Sequence, residues 1–131
     1  MRTVTVRIVA CDLNTMEGAV ALLSAHPDIA VLTRDDAYEP DVLLVVTAQL
    51  TETTLCGLEL ASVSAGHPPR LVAVVEHIEP WQLDRAMGAG LVCVLDRRTA
   101  GYDLIAQAIV TAGTSPTRRA ACVTTAVTTE R

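Results

Sequence analysis

The run Val42-Leu43-Leu44-Val45-Val46, inside "PDVLLVVTAQL" (40–50), restricts the fold more than any other stretch of the chain. Five consecutive branched apolar residues with no polar alternation need cover on both faces, as a central strand of a parallel sheet has. The run is far too short to cross a bilayer. In sheets of this kind the carboxyl end of a strand commonly presents reactive groups. Here that end reads Val46, Thr47, Ala48, Gln49, without a carboxylate, thiol or imidazole.

The rest of the chain alternates in type around this strand. Residues 4–10, 28–33, 70–76 and 90–96 are β-branched or apolar runs that predict strands, joining 41–46. Helical spacing predicts helices over 14–26, 51–65, 80–88 and 101–113. Asn14 or Thr15 is the expected cap of the first helix, with Glu17 in its first turn, and Thr51 caps the second. Pro80 starts the third, and Gly113 is read as the stop of the last. Half of the residues are hydrophobic, yet there is no Phe, one Trp and two Tyr, so the core is built from Val, Leu, Ile and Ala. Alternating strands and helices give an α/β fold, an open, doubly wound, five-stranded parallel sheet. One domain is expected over 1–113, with 114–131 a polar linker or tail. Chemistry in such a fold is sought at the strand tips: Cys11-Asp12, Thr33-Arg34, Val46-Thr47, Val75-Glu76 and Asp96-Arg97.

Several function classes fit poorly. A net charge of −5 argues against a nucleic-acid surface on this segment itself. "MRTVTVRIVACD" alternates polar and apolar residues, unlike a signal peptide, so the cytoplasm is the expected location and no membrane partner is expected. Cys11, Cys56, Cys93 and Cys122 are spread without a CxxC pair; buried thiols are expected rather than a metal site. "CDLNTMEG" has one glycine, inside the helix, where a phosphate-binding loop needs several. A cobalamin-type Asp-x-His-x-x-Gly is absent, because Asn14 stands where the histidine belongs. Asp12 is expected to cap its turn, and Arg97 to pair with it across the strand tips. Arg97-Arg98 is read as a solvated loop pair rather than an anion site. His26, His67 and His77 are dispersed, and Glu76-His77 is a weak candidate acid/base pair.

The ordered set "VRIVACD", "EGAVALLSAHPDIAV", "PDVLLVV", "RLVAVVE", "MGAG", "VLDRR" and "DLIAQAIVTAG" resembles the receiver domain of a bacterial response regulator. The branch resembled is the one whose receivers precede a LuxR/NarL-type helix-turn-helix, and "SPTRRA" (115–120) is similar to the linker before it. The resemblance covers residues 4 to 113 and implies a CheY/flavodoxin-like fold. The family's acidic pair falls on Cys11-Asp12 or Ala10-Cys11, its phosphoacceptor aspartate on Val46, and its switch Ser/Thr on Val75 or Glu76. Its lysine falls on Arg97. One carboxylate among valines is a poor ligand set for Mg²⁺, and valine has no nucleophile for phosphoryl transfer. The chain therefore resembles an atypical, or pseudo-, receiver, with a vestigial cleft of Cys11, Asp12, Val46, Thr47, Val75, Glu76 and Arg97. No catalytic residue, phosphoacceptor, metal or cofactor is expected.

A second departure lies between strands two and three, where only "RDDAYEP" (34–40) replaces the family's helix. Returning down a strand and crossing one neighbour needs roughly 20 Å. Seven extended residues reach about 23 Å, so the segment is expected to be nearly extended and without a regular helix. That would leave one flank of the sheet bare, with Tyr38 covering part of it.

The last helix carries more apolar surface than packing on a sheet requires. At 100° per residue, Asp103, Gln107 and Thr111 fall within an arc of roughly 80°, and apolar residues fill nearly all the rest. Leu104, Ile105, Ala108, Ile109, Val110 and Ala112 are accordingly expected to form a homodimer surface. The resulting expectation is a phosphorylation-independent regulatory domain of a transcriptional regulator, not an enzyme. DNA would be reached only through an attached helix-turn-helix domain outside this chain. The alternative is a sensor that binds a small molecule in the vestigial cleft. An apolar, open cleft would favour that sensor, and a filled one a protein–protein module.

Overall fold

The computed structural model describes residues 3–32, 39–64 and 69–114. Five strands and four helices follow in the order β1 (Val4–Ala10), α1 (Leu13–Ser24), β2 (Ile29–Leu32), β3 (Val42–Val46), α2 (Glu52–Ser64), β4 (Arg70–Val75), α3 (Pro80–Gly88), β5 (Leu91–Asp96) and α4 (Tyr102–Thr114). All strand pairs are parallel and the sheet order is β2-β1-β3-β4-β5. This is the parallel α/β sheet expected from the alternation, in the flavodoxin-like, CheY-like strand order that the resemblance implied. No described helix is long and apolar enough to cross a membrane.

Period-two side-chain direction sorts the strands onto two cores. Val4, Val6, Ile8, Val42, Leu44, Val46, Val72 and Val74 meet Ala19 and Leu23 of α1 and Ile105 and Ile109 of α4. The opposite faces of β3, β4 and β5 meet Leu55 and Leu58 of α2 and Ala86 of α3. Burial of all five β3 residues follows from this double cover. A bulge between β4 and β5 leaves Val92 unpaired, since Leu71 faces Leu91 but Val72 faces Cys93. Gly90, at φ +108°, turns the chain from α3 into β5 in a conformation that side chains disfavour.

The second core takes no residue from β1 or β2. On that flank Val9 is exposed, while Thr5, Arg7, Ala30 and Leu32 are half-buried. The crossover itself, including Tyr38, lies mostly outside the described residues, so its expected lack of helix is untested. The expected span, however, is corrected by the register. Leu32, the end of β2, faces Arg7, while Val42, the start of β3, faces Val6. The chain need not return down a whole strand. It crosses two strand spacings, about 10 Å, and steps back about one residue. The short β2 explains why so brief a connection suffices.

Two helix ends differ from expectation. α1 begins at Leu13 and its cap is Asp12, whose carboxylate accepts from the Thr15 amide at 2.7 Å; neither Asn14 nor Thr15 is the cap. Gly113 does not stop α4, which runs to Thr114. A Cβ at Gly113 would overlap Val4 Cγ1 and lie 2.9 Å from Cγ2, so this glycine lets the helix approach β1 closely.

α4 also departs from the expected dimer surface. Ile105, Ile109 and Ala112 are buried in the domain's own core, with Ala106, and Ala108 and Val110 pack partly against it. Of the expected surface only Leu104 is exposed. The exposed residues over 103–111 are Asp103, Leu104, Gln107 and Thr111. The physical reason is that α4 touches all five strands as well as α1, so much more than a narrow stripe is covered.

Candidate functional site

The carboxyl ends of β1, β3, β4 and β5 converge through their backbones. Cys11 N–H donates to Val46 C=O at 3.1 Å, Thr47 N–H to Val74 C=O at 3.0 Å, and Arg97 N–H to Val75 C=O at 2.9 Å. These bonds bring together the residues singled out in the sequence. Val46 and Val75 are buried, Thr47, Glu76 and Arg97 half-buried, and Cys11 and Asp12 exposed. The Thr47 hydroxyl is directed to the Gln49 carbonyl of its own loop at 3.2 Å.

Arg97 occupies the middle of this tip. Its guanidinium lies 3.4 Å from Glu76 Oε2 and 4.0 Å from Asp12 Oδ2. It also donates to Thr15 Oγ1 at 3.1 Å and to Cys11 Sγ at 3.5 Å. The expected Asp12–Arg97 pair is thus present, and Glu76 closes the guanidinium from the other side. The Thr15 amide, then the Thr15 hydroxyl and the Cys11 thiol, hold the Asp12 carboxyl below its ordinary value of 3.8, with Arg97 adding to the effect. Asp96 is likewise lowered, chiefly by the Arg98 amide, which donates to it at 2.9 Å. Arg98 reaches further, to the Glu76 carbonyl at 3.2 Å, so the two arginines are committed to neighbouring acceptors. Glu76 accordingly faces Arg97, and an acid/base partnership with His77 has no hydrogen bond behind it.

One feature of the tip was missed in the sequence. Gln82 is 2 % exposed and sits in the first turns of α3. Its Nε2 donates to Leu50 C=O at 2.9 Å and its Oε1 accepts from Glu79 N–H at 2.7 Å. Both polar ends of a buried amide are thereby satisfied. Gln82 stands three residues after Glu79, a spacing that marks a helix start but not the burial of the amide against Leu50.

Cys11 and Asp12 also border a groove of about 770 Å³ beside the tip. Among the described residues, β2 pairs with β1 no further than Leu32 opposite Arg7, and the groove lies beyond that pair along Ile8–Ala10. Its walls are Val9, Leu13, Met16, Val20, Val31 and Leu32. The expectation of buried thiols is corrected here: Cys11 and Cys56 are exposed and Cys93 is half-buried, while Cys122 lies outside the described residues. Cys56 belongs to a helix-to-helix cluster in which Arg85 pairs with Glu52 and Glu59, both at 2.6 Å. His26 accepts from the Asp28 amide at 3.2 Å, and His67 is outside the described residues. Among the described residues no three His, Cys, Asp or Glu side chains gather as a metal site.

The fold and the tip define a flavodoxin-like domain whose central strand ends in valine. Comparison with family models and with curated proteins finds no match for this chain.

Proposed function

We propose that this chain is a receiver-like regulatory domain that works without phosphorylation, controlling an attached DNA-binding domain of a transcription regulator. The observation that carries the reading is the filled tip. At the position of the family's acceptor stands Val46, 7 % exposed, and the space between Asp12 and Glu76 holds Arg97. A packed valine offers no oxygen for a phosphoryl group. A guanidinium already shared by two carboxylates leaves little need for a further cation between them. A protein–protein role fits a tip of this kind better than a binding cleft does, and no enzymatic step belongs to it.

The test is direct. Incubation with acetyl phosphate and Mg²⁺ leaves the intact mass unchanged, and stoichiometric acid-labile phosphate on a strand tip overturns the proposal. A reading frame that continues into a helix-turn-helix supports the regulatory class. Pairing of two copies through α4 has Leu104 and the partly exposed Ala108 and Val110 left to build on. Sedimentation at ~100 μM decides it, since a ~10 μM dimer would be mostly assembled there.

The groove beside Cys11 and Asp12 favours a second reading, a small-molecule sensor. Its volume lies within the usual range for ligand pockets, and most of its wall is aliphatic. Under this reading an apolar fluorescent probe binds saturably, and Leu13→Asp or Val9→Asp weakens it. Unchanged binding in both variants removes the groove from consideration.

A further inference from the structure

The polar contacts at the strand tips form one connected chain. Asp12, which caps α1 through the Thr15 amide, pairs with Arg97. Arg97 pairs with Glu76. The backbone amides of Glu76 and His77 both donate to Ala48 C=O, at 3.0 and 3.2 Å. Two residues on, Leu50 C=O accepts from buried Gln82, whose other end holds the Glu79 amide. The β1–α1, β5–α4, β4–α3 and β3–α2 loops are therefore linked in series, with Glu76 as the hub: its side chain, its carbonyl and its amide each bind a different neighbour.

We propose that these four loops open as one unit, clamped by Arg97 at one end and Gln82 at the other. Joined in series through a half-buried hub, none opens freely while its neighbours stay shut. The coupling follows contiguous contacts rather than distance. Drawing Arg97 away from Asp12 and Glu76 then loosens the whole tip, including a loop that Arg97 does not touch. This makes the tip a release device, and it holds whichever functional reading is correct.

Amide hydrogen exchange on the full chain tests it with crossed readouts. Arg97 has no hydrogen bond or ion pair to the β3–α2 loop, and Gln82 has none to the β1–α1 loop. In Arg97→Gln, exchange at Thr54 and Leu55, whose amides donate to Thr51, is expected to rise roughly ten-fold. In Gln82→Met, exchange at Thr15 and Met16, whose amides donate to Asp12, rises similarly. Amides of the core strands serve as the reference for global unfolding. Arg97→Lys, which keeps the charge but not the fork, falls between wild type and Arg97→Gln. Faster exchange confined to the loops each residue touches overturns the proposal. Arg97 is half-buried whereas Gln82 is 2 % exposed, so the Arg97→Gln arm decides the matter even where Gln82→Met is too unstable to measure.

Discussion

Two glycine-to-alanine substitutions are expected to move stability in opposite directions. Gly57 lies inside α2, and a Cβ there meets nothing within 4 Å. Gly57→Ala should stabilise by about 1 kcal/mol, the difference in helix propensity. Gly113 is also helical, at a negative φ, so its backbone would accept alanine. Its Cβ, however, would overlap Val4, whose Cγ2 lies 2.9 Å and Cβ 3.2 Å away. Val4 has no room to retreat: it is 0 % exposed and its amide is bonded to Asp28 C=O. Overpacking of this kind costs about 1–3 kcal/mol. The propensity gain at Gly113, one residue from the helix end, is no larger than at Gly57, so the two variants should differ by at least about that amount. At about 4 °C per kcal/mol for a domain of this size, the melting temperatures should differ by roughly 4–12 °C. Thermal and urea unfolding of the two variants side by side measure this. Adding Val4→Ala should remove the Gly113→Ala clash, giving a favourable coupling in a double-mutant cycle. If Gly113→Ala is as stabilising as Gly57→Ala, the close packing of α4 on β1 is wrong.

Other outcomes follow from burial and charge. Ile109→Glu places a carboxylate at a position that is 0 % exposed and should cost more than about 4 kcal/mol, abolishing cooperative unfolding by circular dichroism. Leu104→Glu, on the same helix but exposed, should stay within about 0.5 kcal/mol of wild type. The Asp12 carboxyl has a lowered folded-state pKa, so its stabilising contribution is present above 3.8 and lost as pH falls through the folded value. Denaturant midpoints should accordingly drop less steeply in acid for Asp12→Asn than for wild type. An equal or steeper acid dependence in the variant would refute the capping role.

The kind and order of the elements were legible because hydrophobic periodicity is a local property. "VLLVV" requires cover on both faces, and Pro80 marks the start of α3, whatever the rest of the chain does. That β3 ends in Val46, whose side chain carries no reactive atom, was equally legible. Sequence patterns also brought Asp12 opposite Arg97, but they read the cap of the first helix as Asn14 or Thr15 and gave Asp12 only its own turn. Which of them caps was decided by the backbone leaving β1: the extended conformation of Asp12 aims its carboxylate at the Thr15 amide. The share of Glu76 in the Arg97 cluster depends on the β4–β5 pairing that sets their tips side by side. Gln82 is buried because α3 meets the β3–α2 loop at Leu50. Gly113 reads as a stop by local rules, and becomes a close-packing residue only once α4 lies on Val4. The apolar surplus on α4 was visible, but not its use. Periodicity counts apolar positions around a helix, whereas the arc that is covered depends on how many strands the helix crosses. The crossover, too, was judged against a full-length return. Register alone, with Leu32 facing Arg7 and Val42 facing Val6, makes the path short, and register is a relation between strands that neither strand carries by itself.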